Sequence, residues 1–335
     1  MIVEARAPTR IDLAGGTLDI HPLYLLEDDA WTINAAVAIP VRVRLTPARS
    51  GVVVVSRDLG HRVAAESVAH LPTGGPLDLA CRALRVAAPH RGLVATLDSS
   101  APPGSGLGAS SALLVALLAA LDRASRRRRS LADLVALAWR LEAQSLRTLT
   151  GRQDYLAAVR GGVNAMRFGV DGDHVEPLLP AASARRALQE RLVVAYTGRP
   201  HTSGLTNWGV VRAYLDGVPG TVNRLRHIAR VAREMRDALR ARDFDALGDL
   251  VAQEWAYRRE LASGVSTPVI ERALAVARRH GGLAGKACGA GGGGCVLMVV
   301  RAGAKGRCEA GLRAAGFPVL RARITPRGLR VRVVR

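Results

Sequence analysis

The residues with chemical potential sit where glycine turns meet regular elements. The run APPGSGLGASSALL, residues 101–114, is a glycine-rich loop that opens directly into an apolar helix. A helix start presents unpaired backbone N–H groups and the positive end of the helix dipole, an arrangement suited to a phosphate. Pro102 and Pro103 stiffen the approach, and Gly104, Gly106 and Gly108 let the backbone close on an anion. Ser110 and Ser111 add hydroxyls able to hold Mg²⁺ or a phosphate oxygen. A tight turn with a serine cap would use the same residues. A second segment, RAPTRIDLAGGTLDIHPLY at 6–24, ends a strand at Gly15 and Gly16, then offers Thr17, Asp19, His21 and Tyr24; Arg10 and Asp12 lie on the strand itself. Glycines at a strand end admit a ligand close to the backbone, and a short carboxylate there can accept paired hydroxyls from a polyol. A β-turn with a capping Asp is the plainer alternative. In a third segment, 141–164, Glu142 sits in a helix that otherwise buries Leu137, Leu141 and Leu146, and Asp154 follows a glycine turn at a helix start. Each acid taken alone also fits a surface carboxylate, or an N-cap in the case of Asp154. A fourth segment, GKACGAGGGGCVLMVV at 285–300, holds a literal G-x-G-x-x-G from Gly289 to Gly294.

These groups need elements to position them. Residues 1–60 read as strands, with Ala36–Leu45 and Val52–Val55 rich in valine and partly alternating. Leu77, Ala80, Cys81, Leu84 and Ala88 share one face of a helix over Pro76–Ala88. Leu93–Leu97 is a strand that feeds the first glycine loop. Ser110–Ala124 is a nearly all-apolar helix that must be buried. Leu131–Leu146 and the short Asp154–Arg160 follow as helices, and Val163–Phe168 as a strand. The small, polar stretch Pro177–Ser183 fits a junction between domains at 1–180 and 181–335. The second half opens on the strand Leu192–Tyr196, is helical from Asn207 to His280, and returns to strands at 295–300, 319–324 and the basic Leu329–Val334. Strands, then helices, then strands again predict α+β domains and not a regular βαβ series. There is no internal repeat.

A chain of 335 residues fits two domains, and 49% hydrophobic with 23% charged residues marks it as globular. Met1 leads straight into the strand-like Ile2–Ala5, without a basic and apolar leader, and the longest apolar run, Ala112–Leu121, is too short to cross a bilayer; a cytoplasmic protein with no membrane partner is expected. Cys81, Cys288, Cys295 and Cys308 show no metal-ligand spacing and fit buried free thiols. The net charge of +20 raises the question of nucleic acid. Yet Lys286 and Lys305 are the only lysines, a pattern of compositional bias toward arginine, and aromatics at 4% are too sparse for a base-stacking platform. The dense block Arg126–Arg129 lies just past a helix, where cations are favourable. Nucleic acid is therefore not expected; an anionic small substrate explains part of the charge.

Familiar phosphate-binding classes fail on context. A dinucleotide fold needs a strand before and a helix after Gly289–Gly294, whereas the strand CVLMVV comes after. No G-x-x-x-x-G-K-[ST] loop exists, and the protein-kinase signatures are absent. The glycine motifs, in this order and spacing, resemble instead those of the GHMP kinases, the superfamily of galactokinase, homoserine kinase, mevalonate kinase and phosphomevalonate kinase. PPGSGLGASSA resembles its phosphate-binding motif and KACGAGGGGCVLMV its C-terminal glycine motif. GRQDYLAAVRGGVNAM together with YTGRPHTSG resembles more narrowly the sugar anomeric kinases related to D-glycero-D-manno-heptose 7-phosphate kinase.

The resemblance implies a two-domain fold, a ribosomal-protein-like β-α domain followed by a ferredoxin-like one, with the site between them. It implies that Pro103, Gly104, Ser105, Gly106, Leu107, Gly108, Ala109, Ser110 and Ser111 wrap the phosphates of ATP, with Gly291 and Gly292 contributing. Ser111 and Glu142 would hold Mg²⁺. Asp154 would be the catalytic base or orient the acceptor hydroxyl, with Arg10 beside it offsetting developing charge. Asp19, Thr17, His21, Gly161, Gly162 and Arg199 would bind a sugar or sugar phosphate, at its anomeric or a primary hydroxyl. Motif one departs from the heptose-kinase pattern AGGGTD: this chain reads AGGTLD, so Thr17 replaces a glycine and Leu18 a threonine. Tyr155 follows Asp154 where relatives often carry glutamine, and His201 stands where a small polar residue is expected. A mevalonate-pathway enzyme, a homoserine-type kinase and a non-catalytic ATP- and sugar-sensing pseudokinase are the alternatives. A monomer or homodimer is expected.

Overall fold

The computed structural model describes residues 1–27, 29–89, 92–200 and 204–334. A long antiparallel pair nucleates the first sheet. β1 (Ile2–Ala14) runs against β2 (Trp31–Pro47), with α1 (Leu23–Leu26) in the connection. The hairpin β3 (Val52–Ser56) and β4 (His61–Ala65) comes next. α2 (Asp78–Ala87) then leads to β5 (Leu93–Ser99), which lies between β2 and β3 and runs parallel to β3. Three helices follow: α3 (Ala109–Ala124), α4 (Leu131–Leu146) and α5 (Gln153–Arg160). The hairpin β6 (Val163–Gly169) and β7 (Gly172–Pro177) joins the first half of β2, while β5 holds the second half.

α6 (Ala182–Gln189) crosses to the second sheet, which begins with β8 (Leu192–Tyr196). α7 (Gly204–Leu215), α8 (Pro219–Ala241), α9 (Leu247–Arg258) and α10 (Pro268–Arg279) separate β8 from the hairpin β9 (Gly282–Ala287) and β10 (Cys295–Val300). α11 (Lys305–Ala314) and β11 (Val319–Leu320) complete an antiparallel sheet of order β11-β8-β10-β9. β12 (Arg330–Val334) leaves this sheet and pairs with β1.

The apolar patterns place the cores. Val3, Ala5, Val41 and Val43 of the first sheet pack with α2, α3, α4 and α5. α3 is buried along most of its length, as its nearly all-apolar sequence requires. β10 is buried on both faces: Cys295, Leu297 and Val299 meet Ile11, Ile33 and Val37 of the first sheet, while Val296, Met298 and Val300 meet α10 and α11. A strand buried on both sides explains the unbroken run CVLMVV. All four cysteines are free and buried. No helix among the described residues is long and apolar enough to cross a membrane.

One expected element is shorter than its sequence indicated. The strand at 319–324 ends at Leu320. Beyond it the backbone turns to the first sheet, where the Ala38 N–H donates to the Arg323 carbonyl at 2.7 Å and the Thr325 N–H to the Ala36 carbonyl at 2.9 Å. Alternation cannot distinguish a strand from a segment whose hydrogen bonds go to a different sheet.

The two sheets are tied by buried charge. Lys286 of β9, wholly inaccessible, places Nζ 2.8 Å from Asp12 Oδ2 of β1 and 2.9 Å from Glu254 Oε1 of α9. Arg258, one turn beyond Glu254 and 3% exposed, donates Nε to the same Glu254 oxygen at 2.7 Å. Burial pushes the Asp12 carboxyl up, but Lys286, Arg258 and Arg10 together hold it below the ordinary carboxylate range. Truncating one member of such a cluster leaves its partners as uncompensated buried charges. Lys286→Met is accordingly expected to cost about 3–5 kcal/mol of folding free energy. A denaturant titration that finds a loss below about 1 kcal/mol would remove the network from its structural role.

Candidate active site

The glycine loop before α3 is shaped for an anion. Gly104, Gly106 and Gly108 have φ of +60°, +72° and +70°, alternating with ordinary residues, so successive N–H groups turn inward as in an anion-binding nest. Gly108 is the N-cap of α3, and no side chain caps that helix or places an acid in its first turn. The loop is braced from behind by the second glycine turn. The Cys295 N–H donates to the Ser105 carbonyl at 2.7 Å, and a Cβ on Gly294 would fall 2.8 Å from that oxygen. Only glycine lets the two turns meet.

Across the cleft from the loop stands Asp154, in the first turn of α5. Arg10 of β1 donates Nε to Asp154 Oδ1 at 2.7 Å and Nη1 to the Gly106 carbonyl. Arg10 thus ties the acid to the phosphate loop. A Cβ on Gly108 would lie 2.9 Å from the Asp154 carboxyl carbon, so the loop approaches the acid as closely as a glycine permits. At the start of α3, Ser111 Oγ donates to Glu142 Oε2 at 2.6 Å, and the buried Tyr155 hydroxyl donates to the same oxygen. Burial pushes the Glu142 carboxyl up. All of these residues except Tyr155 line one cleft of about 400 Å³.

The other end of the cleft is built from side chains. Asp19 accepts the Gln153 N–H on Oδ2 at 3.0 Å, while its Oδ1 has no hydrogen-bond partner although the residue is 1% exposed. Burial, the largest influence, pushes the Asp19 carboxyl up to about 6; the Gln153 N–H opposes this, and nearby Asp154 and Asp12 add to it. Gly151 leaves room for Asp19, whose Oδ2 would lie 2.0 Å from a Cβ there. Asp12 also keeps one oxygen, Oδ1, unpartnered. Thr17 has φ +78°, a left-handed conformation that β-branched residues avoid. Arg258 holds it there, donating Nη1 to Thr17 Oγ1 at 2.9 Å and Nη2 to the Gly16 carbonyl at 2.6 Å.

Several residues expected at the site lie elsewhere. Leu107 points into the core between the sheets, and its carbonyl accepts the Arg10 N–H. His21 is exposed, with Nδ1 3.2 Å from the Tyr24 hydroxyl. Gly161 and Gly162 close the turn after α5: the Gly162 N–H donates to the Thr325 carbonyl at 2.7 Å, and a Cβ on Gly161 would strike the Arg327 backbone at 2.5 Å. Their glycines accommodate the returning C-terminal segment and do not line the cleft. Gly291 packs on Val265 and the Gly292 N–H donates to the Val265 carbonyl at 2.9 Å; Gly289 and Ala290 are the residues of that turn that reach the cleft. Arg199 is exposed outside the cleft, and its carbonyl accepts the Gly294 N–H at 2.7 Å. His201 lies outside the described residues.

Sequence reasoning missed Gln153, Asn207 and Arg258, which line the cleft, and the partners Glu254 and Lys286 behind it. Lys286 carried a signal, being one of two lysines in a chain that otherwise uses arginine. Arg258 carried none, since it is one arginine among many and part of its partners, Gly16 and Thr17, come from a distant strand end.

The family profile described as GHMP kinases N terminal domain matches residues 74–162, which include the phosphate loop, Glu142 and Asp154. The profile described as GHMP kinases C terminal matches residues 235–316, which include the second glycine turn. The chain is similar to the D-glycero-alpha-D-manno-heptose 7-phosphate kinase of Campylobacter jejuni, 27% identical over 308 residues that cover 89% of each chain. It is 25% identical over 321 residues to the bifunctional fucokinase/GDP-fucose pyrophosphorylase of Arabidopsis thaliana, where it spans about 30% of that protein's length. The crystal structure of a D-glycero-D-manno-heptose 1-phosphate kinase from Bacteroides thetaiotaomicron superposes with a TM-score of 0.80 at 21% identity, covering 99% of both chains, and so shares the fold. The chain belongs to the GHMP kinases, and it is a phosphotransferase that uses an alcohol group as acceptor.

Proposed function

We propose that the protein transfers the γ-phosphate of ATP to a hydroxyl, the anomeric one, of a sugar or sugar phosphate of the heptose 7-phosphate class. The observation that carries this reading is the Arg10–Asp154 pair, 2.7 Å apart, set between the phosphate loop and the unpartnered oxygen of Asp19. The names of the two relatives support a sugar as acceptor. The loop 104–111 receives the triphosphate on its backbone N–H groups. Ser111 and Glu142 suit Mg²⁺, because a hydroxyl and a carboxylate are hard oxygen donors and, among the described residues, no cation pairs with the buried Glu142. When bound, the ion neutralises phosphate charge and aligns the γ-phosphate.

This chain's residues do the rest. Asp19 Oδ1 and Asp12 Oδ1 accept hydroxyls of the acceptor and fix its rotation in the cleft. Asp154 accepts the hydrogen of the attacking hydroxyl and takes its proton as transfer completes. Arg10 holds Asp154 in position and meets charge on the phosphoryl oxygens. Phosphoryl transfer depends on positioning and charge stabilisation, and these groups supply both.

A turnover assay over a panel of heptoses, hexoses, their phosphates and mevalonate tests the assignment. Turnover is expected with a sugar or sugar phosphate and absent with mevalonate. No turnover with any acceptor would make the protein a sensor, and turnover with mevalonate alone would place it in a different branch. Asp154→Asn is expected to bind ATP normally and lose about 10²–10⁴-fold in kcat; a wild-type rate would exclude Asp154 as the base. Glu142→Gln is expected to raise the Mg²⁺ concentration needed for half-maximal rate while leaving acceptor KM in place. An unchanged Mg²⁺ requirement would remove Glu142 as a ligand. Asp19 supplies a pH dependence. Its carboxylate accepts hydroxyls when ionised, so acceptor KM should rise as pH falls through about 6 and stay flat above it. Asp19→Asn should abolish that rise, and a pH profile shared by wild type and variant would exclude Asp19 as its source.

A further inference from the structure

The face of the first sheet turned away from the helices is open at the end formed by β12, β1, β2 and β5. Arg330, Arg6 and Arg42 are direct cross-strand partners there, Arg330 with Arg6 and Arg6 with Arg42. Direct partners in an antiparallel ladder share a face, with Cβ atoms about 4.5–5.5 Å apart. Three exposed guanidinium side chains therefore stand in one row across three neighbouring strands. Like charges directly opposite one another destabilise a sheet. Partial burial first, then Arg42 and Arg330, hold the Arg6 guanidinium below its ordinary pKa.

The neighbouring row shows how the same sheet neutralises arginine when neutrality suffices. Glu4 lies opposite both Arg332 and Arg44 and pairs with them at 2.6 and 2.8 Å. In the Arg6 row, only Arg42 has a carboxylate, Asp98 at 3.2 Å. Among the described residues none pairs with Arg6 or Arg330, nor with Arg57 nearby. The surface is also concave: these residues line a trough of about 960 Å³ in which six arginines face two carboxylates. It shares no lining residue with the catalytic cleft: Arg57, Thr96 and Asp98 line the trough, while their chain neighbours Ser56, Asp58, Leu97 and Ser99 line the cleft.

We propose that this trough binds a compact polyanion, a small molecule carrying two or more phosphate groups. The row of unpaired arginines supplies the forked donors that phosphates take. Three strands span on the order of 10 Å, the length of a short phosphate chain and not of a nucleic-acid track. Glu4 and Asp98 bound the row, and no aromatic side chain lines the trough to stack a base.

Tripolyphosphate is the probe, titrated calorimetrically into the full chain while a non-hydrolysable ATP analogue saturates the catalytic cleft. One tripolyphosphate per chain is expected to bind, more weakly as salt rises. Arg6→Gln and Arg330→Gln should each weaken it by about tenfold, while turnover stays at the wild-type rate. Without the probe, Arg6→Gln should melt at the same or a higher temperature than wild type, because the central like charge is gone, and the probe should no longer raise its midpoint. Equal affinity in wild type and variants would overturn the proposal. So would binding that vanishes once the ATP analogue is present, which would assign the probe to the catalytic loop. A short DNA duplex that binds more tightly than tripolyphosphate and loses affinity in the same variants would make the surface a nucleic-acid site instead.

Discussion

The buried ion network of Asp12, Lys286, Glu254 and Arg258 is the constraint on which the rest of the cleft depends. Hydrophobic contact alone would hold the two sheets together, but it is non-directional and would tolerate sliding. Lys286 removes that freedom. Its ammonium must satisfy a carboxylate from the first sheet and one from α9 within a region closed to water. Arg258 extends the same network to the backbone of Gly16 and the hydroxyl of Thr17. The position of the strand end at Gly16 and Thr17 is therefore set by charge pairing across the sheets. A misplacement of about 1 Å there is enough to disturb catalysis, and a network of short, directional contacts is suited to prevent it.

A second constraint acts on the phosphate end, and it is steric. The loop before α3 can offer its N–H groups only because three glycines adopt positive φ in alternation. It stays in place because a different glycine turn, 170 or more residues later, presses against its back without a side chain between them. Arg10 completes the arrangement by joining the Gly106 carbonyl to Asp154. A single guanidinium thus couples the glycine loop to Asp154 across the cleft. β1, the loop and α5 each deliver one partner to this three-way junction.

How much of this was legible in the sequence follows from the type of signal each residue carries. The loop at 101–111 was legible because its function needs glycine, and glycine at alternate positions is visible. Ser111, Glu142 and Asp154 stood out by their places beside glycine turns and in a helix that buries leucines, but a choice among their possible roles came only through resemblance: a buried carboxylate and a surface one have the same letter. The strand at 295–300 was evident from its apolar run, whereas the one drawn at 319–324 was overextended, because hydrogen-bond partners in another sheet leave no trace in local pattern. Gly161 and Gly162 misled for a related reason. Their positive φ is real, but Gly161 admits the Arg327 backbone and Gly162 turns its N–H to the Thr325 carbonyl. Arg258 was invisible, since its role arises from what a distant strand brings to it.

The two ends of the cleft are made of different material, and this difference bears on how specificity arises. Backbone N–H groups at a helix start suit phosphate, which every nucleoside triphosphate presents, and carry no information about a second substrate. The opposite end is lined by Asp12, Asp19 and the strand end at Gly16–Thr17, in the segment that reads AGGTLD. A threonine at φ +78° costs on the order of 1–3 kcal/mol relative to a residue free to adopt that conformation. The fold retains that strain because Arg258 gains a hydroxyl partner from it, in a place where a glycine would leave one guanidinium nitrogen without that contact. The substitution is thus matched by its surroundings, and it narrows the strand end by a side chain that a glycine lacks. The shape of the cleft at this end is then set by the packing of Thr17 against Arg258, both of which line it.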